Sequence, residues 1–228
     1  MPMSPESFIM NIPLFHSLGP EDRKHLAASI RRQSIKRGEV LFRKGSEGTT
    51  LYVITKGKVK IVLPSTMGDE VVLALFSEGD FFGEMALLDG MPRSADAVAL
   101  EDSELYVLNQ SDFVGFLQNN RGAIQAILRS LSLRLRKTDD LLQDTCFLNV
   151  SGRFAKKLVE LAEEHGREVG DEIEFDIALT QTDLAKMVGA SRESINKELR
   201  TLREKGLVSV DGNTIRIHNP TRLKRRIK

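Results

Sequence analysis

The sequence is poor in cysteine and has no apolar run long enough to cross a membrane. The single Cys146 excludes a disulfide within the chain and a cysteine-ligated iron–sulfur cluster. The 4 histidines are scattered without the spacing of a metal site, and no nucleophile–base pair stands out, so neither a metal centre nor an enzyme is expected. Without a charged segment followed by an apolar one near the N-terminus, a soluble cytoplasmic protein with no membrane partner is predicted.

Net charge is also small, because 33 Lys and Arg nearly balance 32 Asp and Glu. The charges are unevenly distributed, however. Residues 177–228 hold 12 basic and 5 acidic side chains, a net charge of +7, and the remainder of the chain carries −6. A basic end on an acidic body favours a polyanionic partner for that end. The alternative is a solubilising tail over residues 222–228.

Apolar residues make up 41% of the chain, enough for a packed core. Residues 1–8 are predicted to be a loose tail, and a short helix is predicted from Pro20 to about Ile30. Between Arg32 and Leu108, short β-type runs alternate with polar residues and glycines, which predicts a small antiparallel barrel or jelly roll. We therefore assign residues 1–110 to an N-terminal β-roll, and the whole chain to the α+β class.

A stretch near the end of this region combines a β-run, a glycine, a short apolar helix and an arginine. Gly83 turns the backbone, and the first N–H groups of the helix Glu84–Leu88 can meet a negative charge. Arg93 adds a charge-assisted pair. Glu84 can accept a hydrogen bond but would repel a polyphosphate, so the stretch predicts a ligand with one phosphate charge and a nearby hydroxyl. The alternative is a structural corner in which Glu84 and Arg93 form a plain ion pair.

A long helix is predicted to begin at a Ser111–Asp112 cap. Residues spaced alternately by four and three form a coiled-coil seam along it: Ile124, Leu128, Leu131, Leu135, Thr138, Leu142 and Thr145. Apolar residues on neighbouring faces would pack on the β-roll. Two apolar faces predict a parallel homodimer, with the alternative that the helix is buried twice within its own chain. Residues 111–148 are assigned to this dimerisation helix and its hinge.

Residues 149–228 are predicted to form a winged helix-turn-helix. Before the two helices of that motif, a helix is predicted to run from Phe154 to His165 and to be ended by an acidic loop around Gly170. Thr180 and Asp183 have the spacing of a capping box, Gly189 would end the first helix of the motif, and Ser191 would cap the second. A hairpin with a tight turn would follow and complete the wing.

The polar face of the second helix predicts a DNA-reading surface. Its first turn would enter the major groove, where arginine bonds guanine, glutamate accepts from cytosine, and lysine reaches a guanine or a phosphate. The residues concerned are Ser191, Arg192, Glu193, Asn196 and Lys197. Thr180 and Gln181, at the start of the first helix, would contact phosphate. The alternative is an ordinary solvated helix face.

Three motifs carry a resemblance to a known family. FGEMALLDGMPRSA resembles the phosphate-binding cassette of cyclic-nucleotide-binding domains, while FLNVSGRFAKKL and Ser-Arg-Glu-x-x-x-Lys resemble the hinge and the recognition helix of the Crp/Fnr family of bacterial regulators. The resemblance covers about residues 13–218 and is closest to the cyclic AMP receptor branch. It implies nucleotide contacts from Gly83, Glu84, Met85, Arg93, Ser94, Ala95, Arg134, Thr138 and Asp139.

The resemblance also implies a role for several of these residues. Glu84 would take the ribose 2′-hydroxyl, and Arg93 and Ser94 the cyclic phosphate. Thr138 would meet the adenine amino group, and Asp139 of the partner subunit would touch the base. The best-known member of the family has serine at the position of Asp139, so the resemblance leaves the identity of the purine base open. Lys197 stands where the family has arginine, so the resemblance also leaves open which base pair this residue recognises.

A homodimeric transcription regulator without a cofactor is implied, with cyclic AMP as its effector. Its partners would be a palindromic operator in double-stranded DNA and RNA polymerase. An empty pocket, cyclic GMP or cyclic di-GMP are alternatives that Asp139 keeps open. A further alternative is a cyclic-nucleotide-binding regulatory subunit that docks on an enzyme or a channel, against which the predicted winged helix and the basic C-terminal end argue.

Overall fold

The fold is described from a computed structural model, which covers residues 12–16, 18–66, 69–176 and 179–227. The tail predicted at residues 1–8 lies outside the described residues. The chain divides into two compact units, Met1–Arg136 and Lys137–Lys228, and the boundary between them falls inside one long helix. The division into three domains at residues 110 and 148 stays a prediction.

The first unit is built on two antiparallel sheets. Its strands are β1 (Arg31–Ile35), β2 (Val40–Phe42), β3 (Thr50–Lys56), β4 (Val59–Pro64), β5 (Glu70–Phe76), β6 (Phe81–Phe82), β7 (Asp96–Ala99) and β8 (Ser103–Asn109). One sheet has the order β1-β8-β3-β6 and the other has the order β2-β7-β4-β5. The alternation of apolar and polar residues along these strands therefore produces the antiparallel β-roll that the sequence predicts, and this prediction is confirmed.

Helices cover one side of the roll. A 3-10 helix (Pro13–Phe15) precedes α1 (Pro20–Ser29), α2 (Glu84–Asp89), α3 (Gln110–Asn119) and α4 (Arg121–Phe147). One core cluster includes side chains from both sheets, among them Ile54, Val59, Phe82 and Ala97. A second cluster joins the β1-β8-β3-β6 sheet to the helices through residues that include Phe15, Leu51, Phe113 and Ile127. The two clusters hold the β6–α2 turn from both sides, through Phe82 in the first and Phe81 in the second.

The single helix predicted from Ser111 is wrong, because two helices occupy that segment. The first begins at Gln110 after Asn109, so Ser111 is not the cap. The break falls at Asn120, whose backbone is extended at φ −133° and ψ 94°. Its side-chain amide donates to Phe116 O at 3.0 Å, and its own carbonyl accepts from Ala123 N at 3.1 Å. Asparagine thus closes one helix with its side chain and opens the next with its backbone.

The predicted seam of α4 is largely exposed in the single chain. Ile124, Leu128, Leu135 and Leu142 are between 41% and 64% exposed. Leu131 differs, because it packs against the helix-side core cluster together with Ala123 and Ile127. A row of exposed leucine-type residues along one helix is unusual in a monomer. The dimer remains a prediction that this exposure supports.

The second unit is a winged helix, as predicted. Its elements are α5 (Val150–His165), β9 (Arg167–Val169), β10 (Glu172–Asp176), α6 (Gln181–Val188), α7 (Arg192–Glu204), β11 (Val208–Asp211), β12 (Thr214–Ile217) and α8 (Pro220–Lys224). The antiparallel sheet has the order β11-β12-β10-β9. The Asn149 side chain accepts from Gly152 N at 2.9 Å and starts α5 at Val150, four residues before the predicted Phe154.

Two strands of this sheet are absent from the sequence prediction, which treats the segment around Gly170 as an acidic loop. The segment is instead the turn of a hairpin, in which β9 pairs with β10 from Glu172↔Val169 to Glu174↔Arg167. Gly170 supplies the left-handed backbone at φ +65°. All three residues of β9 are exposed, so no apolar alternation marks the strand.

Candidate ligand pocket and nucleic-acid interface

The candidate pocket begins at the turn between β6 and α2. Gly83 adopts φ +84° and ψ 4°, a left-handed conformation that glycine reaches without steric cost. A Cβ atom at this position would lie 2.6 Å from Arg93 Nη1 and 3.1 Å from Thr50 O. Two reasons therefore require glycine at position 83: the left-handed turn, and the space that the side chain of Arg93 occupies.

Glu84 follows as the first residue of α2 and is 1% exposed. Its Oε1 accepts a hydrogen bond of 2.6 Å from Arg134 Nη1 of α4. Arg134 also donates to Phe81 O and lies over the Phe76 and Phe81 rings, with 4.6 Å and 5.1 Å from its guanidinium carbon to the ring centroids. The charge of Glu84 is thus balanced by α4. Arg134, which the resemblance implies at the site, is brought directly against the cassette.

Arg93 is 4% exposed, and among the described residues Glu84 forms its ion pair with Arg134 rather than the plain pair with Arg93 that the structural-corner alternative assumes. Arg93 Nη1 donates to Gly83 O at 2.7 Å, and its Nη2 donates to Thr50 O at 2.8 Å. The guanidinium stacks over the Phe42 ring at 4.3 Å. Burial lowers the pKa of Arg93 below its ordinary value, yet arginine stays charged at neutral pH. A buried cation whose hydrogen bonds are to neutral oxygens favours an anionic ligand.

Two buried polar atoms of this cassette have no hydrogen-bond partner among the described residues, Glu84 Oε2 and Arg93 Nε. Leaving a buried polar atom unpaired costs about 1–3 kcal/mol, which makes such atoms rare in native proteins. Glu84 Oε2 is an acceptor and suits a hydroxyl, whereas Arg93 Nε is a donor and suits an anionic oxygen. The pair fits the ligand predicted from the sequence, which has one phosphate charge and a nearby hydroxyl.

The remaining cassette residues lie beside these atoms. Ala95 is buried, whereas Ser94 and Met85 are exposed. The Ser94 hydroxyl donates to Met85 Sδ at 3.6 Å, a weak contact that a better acceptor can replace. Ser94 therefore has a donor available for a phosphate oxygen.

Sequence reasoning missed the loop between β2 and β3 as part of this site. Gly45 N donates to Arg93 O and Arg93 N donates to Ser46 O, each at 2.8 Å. A Cβ atom at Gly48 would lie 2.4 Å from the Cβ atom of Ala86 and 3.0 Å from Arg93 Nε. The closely spaced Gly45 and Gly48 indicate a loop that another part of the backbone can approach closely, but the sequence does not predict which segment that is.

Thr138 and Asp139 lie on the exposed part of α4 that belongs to the second unit. Both positions follow Arg134 along one continuous helix. Their contribution to a nucleotide pocket stays a prediction.

The second unit contains the predicted helix-turn-helix, formed by α6 and α7. Thr180 Oγ1 accepts from Asp183 N at 3.1 Å, and Asp183 Oδ2 accepts from Thr180 N at 3.0 Å, so the capping box is confirmed. Gly189 ends α6 at φ +60°. The Ser191 hydroxyl accepts from Ser194 N at 3.1 Å and caps α7. These local signals fix the turn, because each one satisfies helix-terminal groups that lack an intrahelical partner.

The predicted reading face of α7 is open to solvent. Ile195, Leu199 and Leu202 are buried on the other side of the helix. The residues of the reading face are all exposed: Arg192, Glu193, Asn196 and Lys197. Gln181 is exposed at the start of α6. Thr180 differs, because its hydroxyl accepts from Asp183 N and donates to Asp183 Oδ2 at 2.7 Å, so a phosphate would have to compete with the capping box.

The basic C-terminal segment is partly neutralised within the second unit. Lys224 pairs with Glu163 at 2.7 Å, and Arg226 lies 3.9 Å from Glu198. Glu198 faces away from Asn196 of the reading face of α7, since two residues correspond to about 200° of helical rotation at about 100° per residue, or about 3.6 residues per turn. The net charge of +7 therefore overstates the charge available at the reading face.

Within the described residues, no helix is both long and apolar enough to cross a membrane. The same residues contain no group of three or more His, Cys, Asp or Glu side chains that could hold a metal ion.

The geometry defines a class of protein: a β-roll with a candidate ligand pocket and a winged-helix unit on one chain. Comparison with known families agrees with both parts. The family of the cyclic nucleotide-binding domain matches residues 32–120, and the Crp-like helix-turn-helix domain matches residues 152–226.

Curated relatives extend the likeness over nearly the whole chain. A CRP-like cAMP-activated global transcriptional regulator of Mycobacterium tuberculosis is 31% identical over 94% of this chain and 96% of its own. The cyclic AMP receptor protein of Thermus thermophilus is 33% identical over 90% of this chain and 92% of its own. The solved c-di-GMP-responsive global regulator of Xanthomonas campestris is 25% identical, with a TM-score of 0.76 over 88% of this chain and 100% of that one. The chain belongs to the Crp/Fnr family of transcription regulators.

Proposed function

We propose that the protein is a homodimeric transcription regulator whose DNA binding is controlled by a cyclic nucleotide, with cyclic AMP as the effector. It would act in the cytoplasm, on a palindromic operator and together with RNA polymerase. The observation that carries the proposal is the pair of unpartnered buried atoms, Glu84 Oε2 and Arg93 Nε. One accepts from a hydroxyl and the other donates to an anion, and a cyclic 3′,5′ nucleotide offers both groups on one rigid ring.

A single phosphate charge is favoured over several. Glu84 is negative and buried, and its balancing cation, Arg134, donates to it at 2.6 Å. A polyphosphate would add further negative charge beside that carboxylate, and burying uncompensated charge is costly. A cyclic monophosphate adds one charge, which Arg93 can balance.

The dimer is supported by the exposed seam on α4. Burying Ile124, Leu128, Leu135 and Leu142 against a second copy would remove four large apolar side chains from water. Two copies related by twofold symmetry would present two α7 helices to DNA. These helices would bind two half-sites roughly 34 Å apart on the same face of the duplex. The operator would then be palindromic.

The names of the relatives support different effectors. Two are called cAMP-activated or cyclic AMP receptor proteins, and one is called c-di-GMP-responsive. Asp139 is the residue of this chain that keeps cyclic GMP and cyclic di-GMP as alternatives, because a carboxylate accepts from the amino groups of either purine. An empty pocket is the remaining alternative.

Calorimetric titration of the full chain with cyclic AMP, cyclic GMP and cyclic di-GMP tests the effector. We expect cyclic AMP to bind, and Arg93→Gln to weaken binding by roughly 30-fold to 1000-fold, since a charge-assisted buried contact is lost. Lys24→Gln is the control, because Lys24 lies on α1 in an exposed pair with Glu21. If cyclic di-GMP alone bound tightly, cyclic di-GMP would be the effector in place of cyclic AMP.

DNA binding is tested with a duplex selected from random sequence by the protein itself. We expect the affinity to rise with saturating cyclic AMP and to fall with salt, as phosphate contacts require. Equal affinity with and without nucleotide would contradict allosteric control. No salt-dependent binding under either condition would instead favour a regulatory subunit that acts on another protein.

A further inference from the structure

Arg153, in the first turn of α5, binds three backbone carbonyls at once. Its Nε donates to Val188 O at 2.8 Å, its Nη1 to Leu148 O at 2.9 Å, and its Nη2 approaches Gly189 O at 3.4 Å. Leu148 directly follows α4, Val188 is the last residue of α6, and Gly189 is the turn of the helix-turn-helix. One half-buried guanidinium therefore joins the end of α4 to the turn that precedes α7.

These acceptors are the ones that a helix leaves unsatisfied. The last carbonyls of a helix have no intrahelical partner and carry the negative end of the helix dipole. A guanidinium presents its N–H groups in a rigid planar fork, so the directions of its bonds to Leu148 O and to Val188 O are fixed relative to each other. A lysine ammonium on a flexible stem could reach one carbonyl but could not hold two in fixed relation.

The bridge lies where a movement of α4 would reach the reading helix. Leu148 N donates to Asp144 O at 2.9 Å, so Leu148 continues the hydrogen bonding of α4. On the other side, only Ala190 separates Gly189 from Ser191, the residue that caps α7. A rotation or an extension of the end of α4 would move Leu148 O, and the fork would carry that movement to the turn before α7.

We propose that Arg153 is the positioning residue through which the end of α4 sets the orientation of α7, and so the residue on which coupling between nucleotide and DNA affinity depends. This inference rests on the proposed function. In the first unit, α4 holds Glu84 through Arg134, so the same helix contacts the candidate pocket and ends at the Arg153 bridge.

The test measures a ratio in the full-length protein. Dissociation constants for the selected duplex are measured without nucleotide and with saturating cyclic AMP, for the wild type, Arg153→Met, Arg153→Lys and a control, Arg225→Met. Arg225 is an exposed arginine of α8's C-terminal cap and lies outside the bridge. We expect the ratio of the two constants to fall at least about fivefold in Arg153→Met, which is the lower end of ordinary allosteric coupling.

Arg153→Lys should give an intermediate ratio, and Arg225→Met should give the wild-type ratio. Cyclic AMP affinity without DNA should stay within about twofold in all variants, because the hydrogen bonds of Arg153 are to Leu148, Val188 and Gly189 and to no residue of the predicted nucleotide contacts. If both DNA affinities of Arg153→Met fall by one common factor, Arg153 only stabilises the fold and the inference is overturned. If Arg153→Met does not fold, as judged by circular dichroism, the ratio in Arg153→Lys decides. A wild-type ratio of one would refute the proposed function itself.

Discussion

The contact between Glu84 and Arg134 predicts a double-mutant cycle in which the two single substitutions lower the stability by unequal amounts. Glu84 is 1% exposed, whereas the side chain of Arg134 is 27% exposed. Arg134→Met would leave a buried carboxylate without its cation. Glu84→Met would leave an arginine that still donates to Phe81 O, still stacks on two rings, and can reach water. The first change should therefore destabilise the first unit much more than the second.

The magnitudes follow from this asymmetry. Removing one partner of a buried ion pair costs about 3–5 kcal/mol, so about 3 kcal/mol is expected for Arg134→Met. Glu84→Met should cost about 1 kcal/mol, because partial exposure lets water replace the lost partner. Replacing both partners with apolar side chains is often close to neutral, so the double variant should lose about 1 kcal/mol. The cycle then gives a coupling energy of about 3 kcal/mol.

The aromatic content of the chain provides a selective assay. The chain has 2 tyrosines and no tryptophan. Tyr52 and Tyr106 are both buried in the first unit. Tyrosine fluorescence during urea unfolding therefore reports that unit, and the free energy of unfolding of each variant can be read without interference from the winged helix.

The decisive observation is rescue: the double variant should be more stable than Arg134→Met alone. If the two single effects add within about 0.5 kcal/mol, the two side chains are not coupled and the assigned contact is wrong. The pair of Lys24 and Glu21 is a matched control, since both side chains are more than 60% exposed. Its coupling should stay below about 0.5 kcal/mol.

Three further predictions address other parts of the chain. Gly48→Ala should weaken cyclic AMP binding at least about tenfold in calorimetry, because its Cβ atom would lie 2.4 Å from the nearest side-chain atom; unchanged affinity would contradict the packing of that loop on the cassette. Asp183→Ala should cost about 1 kcal/mol in thermal unfolding followed by circular dichroism, as the capping box is lost, and an unshifted melting temperature would contradict it. Hydrogen bonds from Arg167 and Arg216 hold the pKa of Glu174 below its ordinary 4.5, so these contacts stabilise the fold above that pH and are lost as pH falls through the lowered value. The melting temperature of Glu174→Gln should therefore fall less steeply than that of the wild type as the pH is lowered. Parallel profiles of melting temperature against pH for the variant and the wild type would refute this.

Features set by neighbouring residues could be predicted from the sequence. The capping box at Thr180, the glycine turn at Gly189 and the cap at Ser191 each depend on residues no more than four positions apart, and all three are present. The β6–Gly83–α2 turn is of the same kind. In each case, one side chain or one glycine satisfies a local backbone requirement.

Features set by distant residues could not be predicted in this way. Arg134 lies 50 positions from Glu84, and Thr50 lies 43 positions from Arg93. The family resemblance implied Arg134 as a nucleotide contact, but the residues alone did not identify Glu84 as its partner. The break at Asn120 was hidden because apolar residues on both sides of it continue the helical pattern. Strand β9 was hidden because its exposed residues do not alternate.

On the proposed function, the two oxygens of Glu84 suggest how a ligand could be sensed without breaking the contact with α4. Oε1 is held by Arg134, whereas Oε2 has no partner among the described residues. A ribose hydroxyl can therefore donate to Oε2 while Arg134 remains on Oε1. Hydrogen bonds that share a charged group polarise one another, and an additional bond restricts the carboxylate to one rotamer. The ligand would then act on α4 by fixing Glu84, and so Arg134, in one of the arrangements that the unbound chain samples. Its effect on DNA binding can be no larger than its difference in affinity between those arrangements.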